Sequence, residues 1–425
     1  MSAAFRSYAH RSLVVRATAV ATIGILLAAA PTSCSQEGPQ TLPFAGDAYV
    51  ARTLSPLPKR GAFVSNSYSD TISVIDREAG VVVATYPVGR DPVGIDGPHR
   101  MVFVGTDLLV PLSYPPAVVP PGPHAAHGSS ARPGYLLRLP VSTFVPSASV
   151  RLRENPGDVI LSDDRTQVIV SHFDLSRVTK LVPIETRRAT LRIFPADFKE
   201  SEDGSTVSVC VAPHGITSMG AFVYVACYGE DAIAKVNIDT KEVVRTYIHG
   251  SSPPETSVEG PYALLREEAL VRDAGASNPT SSPIARLAIT NNVGRNVKFF
   301  DPVTNTFVGG FSTVGAPYFA ANGLAGRAFV LTQTPDELVE FEWATGAVIR
   351  KRSFADGECP APHEIAYESS GDRLLVVCEG DKKSPGKVVA LSASTLDPVR
   401  SIDVGVYPDK IVLFGDDVPA GKSLP

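Results

Sequence analysis

A four-strand unit recurring through most of the chain, a proline mark near the end of each unit and a surplus strand at the C-terminal end together predict an all-β fold. That fold is a seven-bladed β-propeller closed by a C-terminal strand that completes the first blade. Composition agrees. With 34 glycines and 36 prolines in 425 residues, regular structure is interrupted too often for long helices, and short strands joined by turns fit better. A hydrophobic content of 44% supplies a core, and a charged content of 20% excludes wholesale disorder. Lys and Arg number 39 against 44 Asp and Glu, for a net charge of −5. No basic block is present to release phosphate counterions, so nucleic acid is excluded as a partner.

The unit is clearest at 62–97, AFVSNSYSDTISVIDREAGVVVATYPVGRDPVGIDG, where three β-branched runs are broken by Ser-Asp and Ala-Gly and followed by a proline and another apolar run. Residues 221–239 (AFVYVACYGEDAIAKVNID), 287–301 (LAITNNVGRNVKFFD) and 328–346 (AFVLTQTPDELVEFEWATG) repeat its start. The proline marks, each with an apolar or small residue three places on, are Pro92/Ile95, Pro156/Val159, Pro213/Ile216, Pro261/Leu264, Pro317/Ala320, Pro362/Ile365 and Pro408/Ile411. Seven marks predict seven units, with loop insertions at 111–133, 197–206 and 267–285. A single unit cannot bury both its faces, so units pack side by side, and radial closure removes the free edges. The termini fit this closure: strands 62–66, 71–76 and 81–87 lack a leading partner, and 408–414 supplies one.

These units resemble the YVTN-type propeller repeats of lactonase-like and bacterial lipoprotein propellers, over roughly 61–415. The resemblance implies the fold and leaves function open. The runs LLVPLSYPP and HFDLSRVTKLVPIET depart most from the pattern.

Ahead of the repeats, Arg6, Arg11 and Arg16 precede Ala17–Ala30, an uncharged stretch shorter than the roughly 20 residues needed to span a bilayer. It reads as the core of a signal peptide over 1–34. The following Pro31-Thr32-Ser33-Cys34 resembles the cleavage box of bacterial lipoproteins, with Pro31 where an aliphatic residue usually stands. The resemblance implies lipidation at Cys34, a membrane partner through that anchor and residence in the bacterial cell envelope. Residues 35–60 are expected to be a flexible tether and 416–425 a C-terminal tail.

Four further cysteines, Cys210, Cys227, Cys359 and Cys378, are an even number in an exported chain, where disulfides are the default. Their contexts match, CVAPHGI then VACYGED and CPAPHEI then VVCEGDK. In each pair one cysteine precedes the innermost strand and the other ends the next, so antiparallel pairing predicts Cys210–Cys227 and Cys359–Cys378. Metal ligation by Cys and His is the rival reading.

His214 and His363 follow the prolines that open inner strands, in blades three apart. Tyr262, Tyr318 and Asp409 hold the same place in other blades, and Val93 and Gly157 complete the level. Glu364, Asp158 and Lys410 stand one residue further along. Strand alternation allows one of these two sets to face the lumen. The candidate ligand-binding set is therefore His214, Tyr262, Tyr318, His363 and Asp409, and the catalytic candidates are His214, His363 and Glu364. His124 and His127, in PPGPHAAHGSS, read as incidental surface residues, with a metal site as the weaker alternative. Asp76, Asp239 and Asp301 read as turn residues and Trp343 as packing. No CxxCH, GxSxG, Walker or HExxH signature occurs, so no cofactor and no metal is predicted.

The leading functional expectation is an exported, noncatalytic binding or scaffold module for a protein, glycan or small ligand. A lactonase-like hydrolase is the second, implied by the resemblance of the phrases around His214 and Glu230, with a tunnel-mouth histidine as general base. An accessory subunit of a periplasmic redox enzyme is the third.

Overall fold

The computed structural model describes residues 54–91, 94–117, 125–178, 182–199, 204–267, 285–324, 326–415 and 418. The leader with Cys34, most of the tether, Pro92, Val93, His124 and nearly all of the C-terminal tail lie outside the described residues.

Every described sheet is a four-stranded antiparallel meander, and the seven of them form the blades of a ring. Blade 1 runs outward from Pro408–Gly415 through Arg60–Asn66 and Thr71–Asp76 to Val81–Pro87. Ala62 lies opposite Leu413 and Val64 opposite Ile411, so the two ends of the propeller share one sheet, as the surplus strand predicted. The innermost strands of blades 2 to 7 are Val102–Val104, Pro156–Leu161, Pro213–Met219, Pro261–Arg266, Ala316–Asn322 and Pro362–Glu368.

Position in the blade explains each strand's sequence. Second strands such as Phe222–Cys227 (FVYVAC) and Arg373–Cys378 (RLLVVC) are near-continuous apolar runs because neighbouring blades cover both of their faces. Outer strands alternate. Val348–Ser353 exposes every second residue, and its Arg350, Lys351 and Arg352 discourage pairing with another chain along the free edge. Asp76 and Asp301 accept backbone N–H groups in the turns after their strands, as expected. In blade 4 the acceptor is Asn237, to which Asp239 donates its own N–H. Trp343 is buried packing, with its indole N–H donated to Asn322 at 2.8 Å.

Blade 2 corrects the expected proline marks. Its inner strand is announced by Pro98, which bridges to Leu112 and has Met101 three places on, and not by Pro92/Ile95. The phrase Pro98-His99-Arg100-Met101 therefore matches Pro213-His214-Gly215-Ile216, and His99 occupies the level assigned to Val93.

The bonding register carries a second correction. In blade 4, Pro213 pairs with Cys227 while Ile216 pairs with Val225, so the inner strand holds one residue more than its partner. The same shift occurs at Pro156/Val159, Pro261/Ala263, Pro317/Ala320, Pro362/Glu364 and in blade 1 opposite Val64/Asn66. In blade 2 the Pro98–Leu112 bridge and the Val102–Leu109 pair stand in the same relation. Each inner strand thus opens on a β-bulge, which breaks the two-residue alternation and re-aims a side chain. Both sets of residues after the prolines turn inward, instead of one.

The two disulfides form as predicted, Cys210–Cys227 and Cys359–Cys378, with sequence separations of 17 and 19. Each ties the outer strand or loop of one blade to the second strand of the next. Replacing either pair by alanine is expected to lower unfolding free energy by about 2–4 kcal/mol, checked by urea titration against the oxidised wild type. An unchanged midpoint would show that these crosslinks constrain nothing the ring does not already hold.

Candidate functional site

The bulges create two adjacent layers across the ring. The first holds His99, Gly157, His214, Tyr262, Tyr318, His363 and Asp409, and the second holds Arg100, Asp158, Gly215, Ala263, Phe319, Glu364 and Lys410. In six of the seven blades the residue before the proline has positive φ: Gly97, Asn155, Ala212, Gly260, Ala361 and Tyr407. That left-handed step turns the chain from the preceding loop into the inner strand, and for the non-glycine residues it costs roughly 1–2 kcal/mol each.

The first layer is buried, and His214, Tyr262 and His363 are linked within it. His214 directs Nδ1 to the Tyr262 carbonyl at 2.9 Å and stacks on the Tyr262 ring at 4.1 Å. The Tyr262 hydroxyl lies 3.3 Å from His363 Nε2, so the two histidines, in blades three apart, are linked through this tyrosine. His363 Nε2 also lies 3.5 Å from Glu379, and its Nδ1 lies 3.4 Å from the Asp409 carbonyl. Burial pulls His214 down to about 3, against the opposing influence of Asp158, and pushes the Tyr262 phenol well above its ordinary value. At neutral pH both are uncharged.

His127 departs from its expected place. It is fully buried at the end of the 111–133 insertion, on the turn Ala125–Gly128, and it stacks on His99 at 4.1 Å with the rings 12° from parallel. Asp409 Oδ2 lies 3.2 Å from His99 Nδ1 and 3.4 Å from His127 Nε2. His99 was not a site candidate, and His127 was one only in the weaker metal reading. His99 had a signal, the Pro-His-x-apolar phrase, hidden by the competing Pro92. For His127 the only signal was the pair of histidines in PPGPHAAHGSS, because nothing local distinguishes a loop that folds inward.

The second layer is a charged floor. The Arg100 guanidinium donates from Nε to Asp158 at 3.0 Å and from Nη1 to Glu364, and lies 4.1 Å over the Phe319 ring. Lys410 Nζ reaches Glu364 at 3.2 Å. Burial raises Asp158, but Arg100 and Lys410 outweigh it and hold the carboxyl below its ordinary range. On the far side of this floor opens a cavity of about 680 Å³, walled by Ile216, Leu264, Phe319, Asn322, Tyr367 and Val412 among others. Its volume is that of a small-molecule site.

The structure thus brings Tyr262, His363 and Asp409 together in the first layer, with His214 and Tyr318 packed on Tyr262. It places Glu364 in the cavity floor. Among the described residues, neither His214 nor His363 lines that cavity. Glu230, in the other phrase of interest, is bound to Arg188 at 3.0 Å and to the Val211 N–H at 3.0 Å, a structural role.

No model of a known protein family matches the chain, and no curated protein matches it by sequence. Solved structures do. The chain is similar to a periplasmic gluconolactonase of Pseudomonas aeruginosa, PpgL, with TM-score 0.55 and 14% identity over 83% of this chain and 98% of that one. It is similar to a putative 6-phosphogluconolactonase of Bacteroides uniformis, with TM-score 0.56 and 11% identity over 84% and 99%. It is also similar to the dihydro-heme d1 dehydrogenase NirN, solved in complex with DHE, with TM-score 0.53 and 13% identity over 85% and 77%. At these identities the likeness shows the shared seven-bladed propeller.

Proposed function

We propose that the protein is an exported, noncatalytic binding propeller that seats a small polar ligand, such as a sugar or sugar acid, in the open cavity above the charged floor. The carrying observation is the cavity of about 680 Å³ whose floor presents the partly exposed Lys410 beside Glu364, within walls that combine apolar side chains such as Ile216, Leu264 and Val412 with Arg165, Asn322 and Ser369. Such a mixture, a shaped apolar wall with a few convergent polar groups, orients a small ligand. Export is supported by the two disulfides, which persist in oxidising compartments. The lipid anchor at Cys34 remains part of the proposal.

Hydrolysis draws less support from the geometry. The histidines that would serve as general base belong to the buried layer on the other side of the floor, and Asp158 and Glu364 are engaged by Arg100.

The test is calorimetric titration with D-gluconate, D-glucose and D-glucono-1,5-lactone, alongside a pH-stat assay of lactone opening. Binding is expected with at least one compound, without turnover. Lys410→Ala is expected to weaken it about 10-fold or more, with folding retained because Arg100 still faces Glu364. Catalysed lactone opening would replace this reading with the hydrolase, and no binding across the panel would remove the cavity as the site. A visible absorption band in the purified exported protein would favour the redox-subunit reading.

A further inference from the structure

His99, His127 and Asp409 come from three separate parts of the chain: the start of the inner strand of blade 2, the turn at the end of an insertion, and the C-terminal strand that closes blade 1. Their donor atoms all lie within 4.8 Å of one another, and all three side chains are buried. Among the described residues this is the group of His, Cys, Asp and Glu with the spacing to hold a metal ion.

We propose that His99, His127 and Asp409 form a binding site for a divalent metal ion, with Zn²⁺ the ion their donors favour.

Distance supports the site first. Donors bound to zinc at about 2.0–2.2 Å in a tetrahedron stand about 3.3–3.5 Å apart. The two measured separations from Asp409 Oδ2, 3.2 Å to His99 Nδ1 and 3.4 Å to His127 Nε2, match that edge.

Proton placement supports it second. The Ser113 hydroxyl lies 2.6 Å from His127 Nδ1 and 3.3 Å from the Gly97 carbonyl, so it can accept the Nδ1 proton while donating to that carbonyl. In that tautomer the lone pair lies on Nε2, 3.4 Å from Asp409 Oδ2, where both atoms can ligate one cation. Ser113 plays the part of the outer hydrogen-bond partner that fixes tautomer and orientation in metal-bound histidines.

The donor set supports it third. Two imidazoles and one carboxylate suit zinc among the divalent ions, and three protein donors leave a fourth position for water or another ligand. The stacked rings indicate what binding changes. Parallel imidazoles 4.1 Å apart aim their lone pairs along parallel planes, so one ring must tilt to share an ion. His127, carried on a turn and not on a strand, is the ring that would do so.

The site lies on the buried side of the charged floor and is independent of the ligand cavity, so either reading can fail alone. The experiment strips the full-length protein with a chelator, incubates it at length with Zn²⁺ because the group is buried, removes free ion and measures metal by mass spectrometry. Co²⁺ loading read by its visible d–d bands runs in parallel. About one equivalent per chain is expected, with a low-symmetry Co²⁺ spectrum. His127→Ala and Asp409→Asn are each expected to weaken binding at least about 100-fold, and Ser113→Ala about 10- to 100-fold, with the near-ultraviolet circular dichroism of the wild type retained. Ser113→Ala touches no donor atom, so it reads the site even where a ligand variant fails to fold. Wild-type protein holding less than a tenth of an equivalent, or full affinity persisting in folded His127→Ala, would overturn the proposal.

Discussion

Removing Pro408–Gly415 is expected to abolish cooperative folding of the whole ring. The segment is the inner strand of blade 1, hydrogen-bonded along Arg60–Asn66 from Gly415 to Pro408. Phe414 stacks on Phe63 at 4.6 Å and sits so close over Gly61 that a Cβ there would lie 2.1 Å from its ring. Arg77 donates to the Phe414 carbonyl at 2.9 Å and also pairs with buried Glu368 of blade 7, so the same strand ties the first blade to the last. Without it the chain keeps its local hairpins but loses the contact that joins the two ends, and Arg60–Asn66 becomes a long apolar edge open to aggregation. A milder version, Phe414→Ala, is expected to cost about 3–5 kcal/mol, the ordinary range for emptying a buried aromatic site. Circular dichroism and urea titration check both. A truncated protein with native near-ultraviolet signal and a single steep transition would show that the other blades hold the ring without a closing strand.

The second large effect is expected at Arg100. Replacing it by methionine leaves Asp158 and Glu364 buried side by side with only Lys410 to oppose them, and breaking a buried ion set by removing one partner costs about 3–5 kcal/mol. The triple change Arg100→Met, Asp158→Asn, Glu364→Gln is expected to recover most of that loss, because it removes the stranded charges together with their partner. Equal instability of the single and triple variants would mean that Arg100 acts through its packing on Phe319.

Much of the architecture could be read from the residues. The second strands had to be buried on both faces because their sequences are apolar throughout, the outer strands had to face water because theirs alternate, and an unpaired first strand with a surplus last one requires closure. The disulfides were legible for a similar reason: the two cysteine contexts repeat within a repeated unit, so one pairing serves both. His214, Tyr262, Tyr318, His363 and Asp409 were found as a set because they share one position after a proline.

Blade 2 shows where that reading ends. Pro92 and Pro98 each have a proline's restrictions and an apolar residue three places on, and they stand six positions apart in the chain. Choosing between them depends on which can bridge to Leu112, a contact across the blade. The alternation rule failed for a related reason. Whether one residue or two turn toward the axis depends on a bulge, and a bulge is a mismatch between two paired strands, visible only once they are paired.

The residues alone determined the repeat, the all-β ring, its closing strand and its two crosslinks, because each follows from periodicity or from a motif repeated within the chain. Only the tertiary structure decided that His99, His127 and Asp409 meet and that a charged floor divides a buried layer from an open cavity. These groupings join residues from distant blades and from a loop with no periodicity, and convergence on an axis is a property of the closed ring, not of any segment in it.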